Sequence, residues 1–299
     1  MASSRFLLPV TISTVSLGIG SWLGIHYEKK NKCVATCDKV WNLPTANCAV
    51  STTTKSPVAI GNVGEIMKYG YPSLTNLKKH GDFVLSYDRR NRIPNWVFEH
   101  LTAQKVAYND VIDRENCQFF EDNDVHVYFR STNADYYKSG YDRGHMAAAA
   151  NHRTSIETMQ QTFFLSNVAP QVGAGFNRDI WCDLEKYVRK LTKKYKNLYV
   201  CTGPLYLPRQ ERDGKQYVKY EVIGRNHVAV PTHFFKVILC ETDKGEFDVE
   251  SFVIPNAAQP EKAKLNLYRF SIESIERASG LLLFDKIPRE FFRNINRIK

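Results

Sequence analysis

The sequence lacks the cysteine spacing that a structural zinc site or a redox motif requires. Its seven cysteines form no Cys-x-x-Cys pair, and no histidine stands beside Cys33, Cys37 or Cys48. We therefore expect no zinc site in that region. Cys182 and Cys201 fall in a predicted helix and a predicted strand, where buried free thiols are expected, although an oxidising compartment would permit disulfides.

The sequence also has no internal repeat, no coiled-coil heptad, and no helix-turn-helix, zinc-finger or RNA-binding aromatic motif. Recognition of particular base sequences is therefore not expected. Acidic residues are in deficit, because 41 Lys and Arg face 31 Asp and Glu, for a net charge of +10. Such a surplus favours polyanions without sequence preference. The basic run at residues 189–196 is a candidate part of that surface; the alternative is that it only complements the dipole at a helix end.

Residues 1–30 differ in kind from the rest of the chain. Residues 6–25 carry no charge, and Arg5 precedes them. A helix of about 20 apolar residues spans a bilayer, but Pro9 and several glycines and hydroxyl side chains dilute this segment. A cleaved secretory signal shares the basic start and the apolar core. The sequence predicts a targeting or membrane-anchor segment over 1–30, a flexible linker over 31–60 and one folded domain over 61–299.

Alternating apolar and polar residues predict strands in the folded domain, and the last two predicted strands flank a glycine-containing loop that is typical of a hairpin. The predicted strands are residues 83–87, 96–100, 125–130, 163–168, 198–202, 234–241 and 247–254. From Arg178 onward, apolar residues recur three or four positions apart, which predicts an amphipathic helix. Strands with inserted helices predict the α+β class, with a mixed central β-sheet flanked by helices and a functional site on a strand–loop–helix unit.

The segment Asp142-Arg143-Gly144-His145 is the strongest candidate for chemistry. A neutral imidazole near its ordinary pKa can take a proton from water at physiological pH. Arg143 offers a forked donor for phosphate, and Gly144 allows close approach of backbone or substrate. The alternative is that His145 only fills a loop.

A second polar cluster follows in the segment Phe164-Leu165-Ser166-Asn167-Val168-Ala169-Pro170-Gln171, and Asn177 comes after a glycine-containing loop. Asn177 stands where the helix is predicted to begin, which is the N-cap position. Its function is therefore either to cap that helix or to serve as a ligand in a site shared with His145.

These segments together resemble the endonuclease G family, DNA/RNA non-specific nucleases of the ββα-metal (His-Me finger) superfamily. The similarity extends from about Gly64 to Asp285 and includes the segments at 199–206, 227–236 and 272–281. The resemblance implies a ββα-metal active-site unit in an endonuclease domain at 61–299. It also implies hydrolysis of DNA and RNA with little sequence specificity, which leaves 5′-phosphate ends.

The resemblance assigns roles to residues at matching positions. It makes His145 the general base that activates water, and Asn177 the direct protein ligand of one Mg²⁺ or Mn²⁺. Glu185 would contact the shell of that ion indirectly. An ideal helix rises about 1.5 Å per residue, so direct joint ligation by Asn177 and Glu185 is not expected. The alternative for Glu185 is a solvated surface glutamate.

The resemblance suggests further roles that the residues alone leave open. Arg130 is a candidate for stabilising the pentacovalent phosphate, or it is an exposed arginine at a strand end. Asp142 is expected to orient the active-site loop. Arg143 and Asn167 are candidates for nucleic-acid contact, while Asn167 could equally hold the framework through its amide. Activity is expected to fall below about pH 6 as the imidazole of His145 protonates.

The family resemblance further implies a homodimer and a mitochondrial location, at the inner membrane or in the intermembrane space. It implies membrane contact through the N-terminus before processing, and nuclear entry after release, with DNA degradation during cell death. Three alternatives stay open: a mitochondrial 5′-exonuclease relative, a secreted nuclease, and a non-catalytic nucleic-acid-binding protein.

Overall fold

A central β-sheet runs through the computed structural model, which describes residues 63–112 and 114–296. The strands are β1 (Leu77–Lys79), β2 (Phe83–Asp88), β3 (Ile93–Leu101), β4 (Asp142–His145), β5 (Val168–Gln171), β6 (Asn197–Leu205), β7 (Arg209–Gln210), β8 (Gln216–Tyr217), β9 (Val222–Ile223), β10 (Val228–Ala229), β11 (His233–Glu241), β12 (Phe247–Pro255) and β13 (Phe292–Ile295).

The helices are short and lie between the strands. They are α1 (Val63–Ile66), α2 (Asn133–Tyr136), α3 (Ile156–Gln161), α4 (Trp181–Leu191) and α5 (Ile272–Ser279). A π-helical segment (Gly173–Ile180) leads directly into α4. Ser155 caps α3 and Ser271 caps α5 through their hydroxyls, which accept backbone N–H groups that a helix start leaves unpaired. None of the helices in the part of the chain described by the structure is long and apolar enough to cross a membrane.

The main sheet has seven strands in the order β1-β2-β3-β6-β11-β12-β13. Neighbouring strands are antiparallel except for β12 and β13, which are parallel, so the sheet is mixed as predicted. The predicted hairpin is confirmed, because β11 and β12 pair from His233 opposite Pro255 to Glu241 opposite Phe247. β4 and β5 form a separate two-stranded antiparallel sheet.

Each face of the main sheet has its own hydrophobic core, because side chains of a strand alternate between the two faces. Phe83 and Leu85 of β2 belong to one core, which the π-helical segment and α4 cover with Phe176 and Trp181. Val84 belongs to the other core, which α1 and α5 cover. The α+β class is therefore confirmed, with the β4–β5–helix unit docked on one face of the sheet.

Two predicted strands are wrong. Residues 125–130 contain a 3-10 turn (Val127–Phe129) whose Val127 and Tyr128 are exposed, so no apolar face holds this segment in a sheet. Residues 163–168 contain another 3-10 turn (Leu165–Asn167), and extended structure begins only at Val168. In both segments the apolar residues resemble a strand pattern, but local backbone hydrogen bonds close turns instead. The predicted segments 1–30 and 31–60 lie outside the described residues.

Candidate active site

The segment Asp142–His145 forms strand β4, whose pairing with β5 sets His145 opposite Val168. Gly144 lies opposite Ala169, and the side chain of Gln171 crosses over it. A Cβ at Gly144 would lie 2.1 Å from the Gln171 side chain, which is far too close for any side chain at position 144. A larger residue at position 144 would therefore force the buried Gln171 side chain to move.

His145 is buried between the rings of Phe119 and Phe163, at centroid distances of 5.0 Å and 4.7 Å. Its Nε2 atom has no hydrogen-bond partner among residues 63–112 and 114–296. Burial lowers the pKa of His145 to about 3, and the positive charges of Arg114, His152 and Arg143 act in the same direction. The imidazole is consequently neutral at physiological pH, which is the form that a general base requires. The sequence predicted that His145 would lose its neutral form below about pH 6, as it would at an ordinary pKa. The lowered pKa of the buried side chain disagrees with that prediction.

Asp142 connects the start of β4 to the helix that follows β5. Its Oδ2 accepts a hydrogen bond from the side-chain amide of Asn177 at 2.9 Å. Both its oxygens also accept from the guanidinium of Arg178, at 2.9 Å and 2.7 Å. The hydrogen bond with Arg178 is the largest of the effects that lower the pKa of Asp142. Asp142 is therefore ionised at neutral pH and holds Asn177, which agrees with an orienting role.

Asn177 is not an N-cap, so that part of the prediction is wrong. Asn177 lies inside the segment Gly173–Ile180, after a break in the helical backbone at Ala174 and Gly175, and its backbone N–H donates to Val172 O at 2.9 Å. The chain turns at Gly175, whose φ is +82° and whose Cβ, if present, would lie 2.8 Å from Ala258. The Asn177 side chain points to Asp142 rather than to a backbone N–H of its own helix. The hydrogen bond uses the amide NH₂ and leaves the amide oxygen for a ligand.

A pocket of about 290 Å³ brings the predicted residues together. His145, Asn177 and Glu185 all line it, together with three arginines and Cys182. Glu185 is half-buried in the pocket wall and not a solvated surface residue. Burial raises the pKa of Glu185, while the positive charges of Lys236 and Arg189 oppose that shift.

The arginines around this pocket are Arg114, Arg143 and Arg178. Arg143 donates to Asn133 Oδ1 at 2.7 Å, and its guanidinium lies 4.5 Å from the centroid of the Phe119 ring. Arg114 lies in a 3-10 turn of a polar loop, and nothing in the sequence around it distinguishes it from other surface arginines. Sequence reasoning missed it for that reason.

Arg130 and Asn167 lie away from this pocket's lining. The guanidinium of Arg130 donates to Val125 O at 2.8 Å and to Asn123 Oδ1 at 2.9 Å, which ties it to its own loop. The structure does not bring Arg130 to the residues that line the pocket. Asn167 is fully buried, and its amide bonds the backbone of Ala147 and Thr162. Direct nucleic-acid contact by Asn167 is therefore wrong, because its polar atoms hold the framework below His145.

A buried charged network lies beneath the pocket. Glu99 accepts hydrogen bonds from Asn151 at 2.9 Å and from the ring of His152 at 3.0 Å. Burial alone would lower the pKa of His152, but hydrogen bonds with Asp82 and Glu99 outweigh it and raise that pKa. Asn151 also accepts from Arg189 of α4 at 3.0 Å, so the network ties α4 to the segment after β4.

The cysteines agree only partly with expectation. Within the described residues, Cys201 is a buried free thiol, as predicted, and burial raises its pKa. Cys182 is also a free thiol, but it is half-buried and lines the pocket. The prediction that Cys182 is buried is therefore wrong, because α4 presents this side chain to the pocket.

A buried neutral histidine on a two-stranded sheet, an asparagine on the following helix and a rim of arginines lie together on a ββα unit. Comparison with known proteins identifies the family. A family model described as DNA/RNA non-specific endonuclease matches residues 62–290. The chain belongs to this family.

Two relatives and one solved structure illustrate the similarity. Mitochondrial endonuclease G of Bos taurus is 52% identical over 245 residues, which are 82% of this chain and 81% of that protein. Mitochondrial endonuclease G of Homo sapiens is 55% identical over 224 residues, which are 75% of this chain and 74% of that protein. A crystal structure of an EndoG/EndoGI complex, described as showing the mechanism of EndoG inhibition, matches with a TM-score of 0.78 and 56% identity; it covers 81% of this chain and 98% of that chain.

These similarities bear on activity and location. The chain is a nuclease and hence a hydrolase. It is a mitochondrial protein, as its relatives named mitochondrial endonuclease G indicate.

Proposed function

We propose that this chain is a metal-dependent endonuclease that hydrolyses phosphodiester bonds of DNA and RNA with little sequence specificity and leaves 5′-phosphate ends. His145 is the general base, and Asn177 holds one Mg²⁺ or Mn²⁺. The observation that carries the proposal is that His145 lines the same pocket as Asn177 and Glu185.

The donors in the pocket fit a hard divalent cation. The Asn177 amide oxygen is oriented by the hydrogen bond to Asp142, and the Glu185 carboxylate lies in the same wall. No group of three or more His, Cys, Asp or Glu side chains that could form a metal cage occurs within the described ranges. Mg²⁺ keeps several waters and needs few protein oxygens, so one amide and a nearby carboxylate suit it. When bound, such an ion supplies charge stabilisation to the phosphoryl and leaving oxygens.

The side chains of the pocket account for the proton and phosphate chemistry. The neutral imidazole of His145 takes a proton from water, whose oxygen attacks the phosphorus, and the bond to the 3′ oxygen breaks. The leaving 3′ oxygen takes a proton from solvent. Arg143 and Arg114 present guanidinium donors to the non-bridging phosphate oxygens, for which forked geometry is well suited. A positioned general base contributes about 10²–10⁴-fold to the rate.

The proposal is tested with full-length protein and supercoiled plasmid, in Mg²⁺ or Mn²⁺ and in EDTA. The parent should nick the plasmid only with metal, and His145→Ala should lower the rate at least about 100-fold. His126→Ala is the matched control, because His126 is exposed and does not line the pocket. A His145→Ala variant that nicks as fast as the parent would remove His145 from the role of base. A circular substrate also separates this activity from that of a 5′-exonuclease, which needs an end.

The finer cellular assignments rest on the family resemblance. We propose a homodimer, an N-terminal membrane contact at the inner membrane or in the intermembrane space before processing, and nuclear entry with DNA degradation during cell death. Light scattering of the purified chain tests the dimer, and a monomer at micromolar concentration would oppose it. Imaging of a C-terminally tagged full-length chain before and after a death stimulus tests the location; a secreted product would oppose it.

A further inference from the structure

A second cleft lies beside the active-site pocket, and the proposed chemistry does not use it. It has a volume of about 500 Å³. We call it the basic cleft, and its walls are formed by Tyr108, Arg153, Arg189, Lys190 and Lys193. Small and apolar residues of the loop after β3 complete its lining.

The basic cleft adjoins the active-site pocket. Ala150 lines both of them. Helix α4 also serves both, because Glu185 lines the pocket while Arg189 lines the cleft; Lys193, just past the end of the helix, lines the cleft as well. Residues four positions apart lie on one face of a helix, so a single face of α4 runs from one site into the other. The helical rise from Glu185 to Leu191, where α4 ends, is about 9 Å. At about 3.4 Å per nucleotide, this distance corresponds to about three nucleotides of a strand.

The charge of the basic cleft is not explained by helix ends alone. Its lining, as far as the structure describes the chain, contains four cations and no carboxylate. Cations at the end of α4 complement the helix dipole, but Arg153 comes from the segment that precedes α3 and joins them in space. Arg189 is held in place by its hydrogen bond to Asn151 at 3.0 Å. Cations from two elements thus converge on one concave surface.

Tyr108 adds an aromatic surface to this charge. Its side chain is 80% exposed, and the guanidinium of Arg153 lies 4.9 Å from its ring centroid. An exposed tyrosine contributes little to the core, since most of its ring stays in water. A ring beside clustered cations is the combination that single-stranded nucleic acid requires, because bases stack on the ring while cations contact phosphates.

We propose that the basic cleft binds the nucleic-acid strand about three nucleotides from the phosphate that is cleaved at His145. Arg153, Arg189, Lys190 and Lys193 bind the backbone phosphates, and Tyr108 stacks on a base. The inference rests on the proposed function, because it takes the scissile phosphate to lie in the pocket of His145. It gives the strand a path along one face of α4.

Binding is tested with the full-length His145→Ala protein and fluorescein-labelled single-stranded oligonucleotides of 2 to 20 nucleotides, where these lengths bracket the roughly three-nucleotide span. Adding Lys190→Ala and Lys193→Ala should weaken binding of the long oligonucleotides more than about tenfold at 0.1 M salt. The slope of log Kd against log salt should fall by about 1.4, since each phosphate of a single strand contributes about 0.7. Tyr108→Ala should weaken binding about tenfold, and Tyr108→Phe should restore it.

The matched control replaces two exposed cations elsewhere, Arg277→Ala and Lys286→Ala, next to the apolar residues of α5 and the following segment that pack on the other face of the sheet. If this control weakens binding as much as the changes at Lys190 and Lys193, the effect is general charge and the basic cleft is not a binding site. Equal affinity of the parent and the Lys190 and Lys193 variant for long oligonucleotides overturns the proposal as well.

Kinetics on a small substrate separate this proposal from the proposed function. In the protein with His145 intact, the nitrophenyl diester of thymidine monophosphate reports the chemistry alone. The changes at Lys190 and Lys193 should lower kcat/KM for a 20-nucleotide strand at least about tenfold more than for the small diester. Equal losses on both substrates overturn the basic cleft. If the parent shows no metal-dependent cleavage, the proposed function is overturned instead. The binding measurements then still decide whether the basic cleft binds nucleic acid, because they do not depend on cleavage.

Discussion

The side-chain amide of Asn177 donates a hydrogen bond to the carboxylate of Asp142 at 2.9 Å, across a separation of 35 residues. The same carboxylate binds Arg178 through both of its oxygens. This contact fixes the proposed metal ligand relative to the strand of His145. Asp142, which the sequence predicted to orient the active-site loop, therefore contacts the side chain proposed to bind the metal.

Asp142→Ala should raise the Mg²⁺ concentration for half-maximal plasmid nicking by about 10–100-fold, because partners that orient a ligand have effects of that size. Asp142→Asn keeps an acceptor for Asn177 but loses the ion pair with Arg178, so its Mg²⁺ requirement should lie closer to that of the parent. Titration of Mg²⁺ at fixed plasmid concentration measures both. An unchanged requirement in Asp142→Ala would contradict an orienting role for Asp142.

Asn177→Ala should lower the rate at least about 100-fold at a Mg²⁺ concentration that saturates the parent, since metal stabilisation of the phosphoryl charge is worth several kcal/mol. Asn177→Asp retains an oxygen donor and should regain activity at high Mn²⁺, although it sets a second carboxylate against Asp142. Thermal unfolding of both variants checks that the fold is kept. A parent-like Mn²⁺ titration of Asn177→Ala would exclude Asn177 as the ligand.

Gly144→Ala should lower the free energy of unfolding by about 1–3 kcal/mol, the usual cost of overpacking. The new Cβ would lie 2.1 Å from the side chain of Gln171. Adding Gln171→Ala should recover part of that loss, because it removes the clashing atoms. The Gln171 side-chain amide atoms have no partner among residues 63–112 and 114–296, so few hydrogen bonds are lost. Urea denaturation of the parent, the two single variants and the double variant gives the coupling free energy between positions 144 and 171. If the two losses of unfolding free energy simply add, the clash with Gln171 is contradicted.

The pH dependence should follow the lowered pKa of His145, about 3 against an ordinary 6.5. The kcat/KM for plasmid should therefore not halve at pH 6 through protonation of this imidazole. The unfolded chain binds a proton below pH 6.5 that the folded chain refuses until near pH 3, so stability should fall as pH falls through that range. Replacement by His145→Asn should reduce the pH dependence of urea unfolding between those limits. An unaltered dependence would mean that His145 titrates normally in the folded chain.

Arg114→Ala should lower kcat/KM more than Arg130→Ala does, because Arg114 lines the pocket and Arg130 is tied to Asn123. A charge-assisted contact to the phosphate is worth about 1.5–3 kcal/mol, or about 10–100-fold in rate. The two variants remove the same side chain, so they are matched in charge. Initial rates of plasmid nicking measure the effect of both variants. A larger loss for Arg130→Ala would support the sequence-based assignment of Arg130 as the arginine that stabilises the phosphate.

The strands of the central sheet could be predicted where both faces of the sheet are buried or alternate regularly. Residues 234–241 and 247–254 form β11 and β12 nearly to the residue, because a glycine-containing loop separates two apolar runs. Residues 125–130 have similar composition but form a 3-10 turn with exposed Val127 and Tyr128. Composition does not report whether a neighbouring strand exists, and strand structure depends on that neighbour.

The sequence by itself determined the motifs, their order, the excess of positive charge and the periodicity of α4, since these depend on residue type and local spacing. The family resemblance that those motifs carry indicated His145, Asn177 and Glu185 as members of one site. Only the tertiary structure decided that Asp142 orients Asn177, that Asn167 supports the framework, and that Arg114 replaces Arg130 at the pocket. It also decided the protonation of His145, because the pKa of a side chain depends on its burial and on charges brought close by folding.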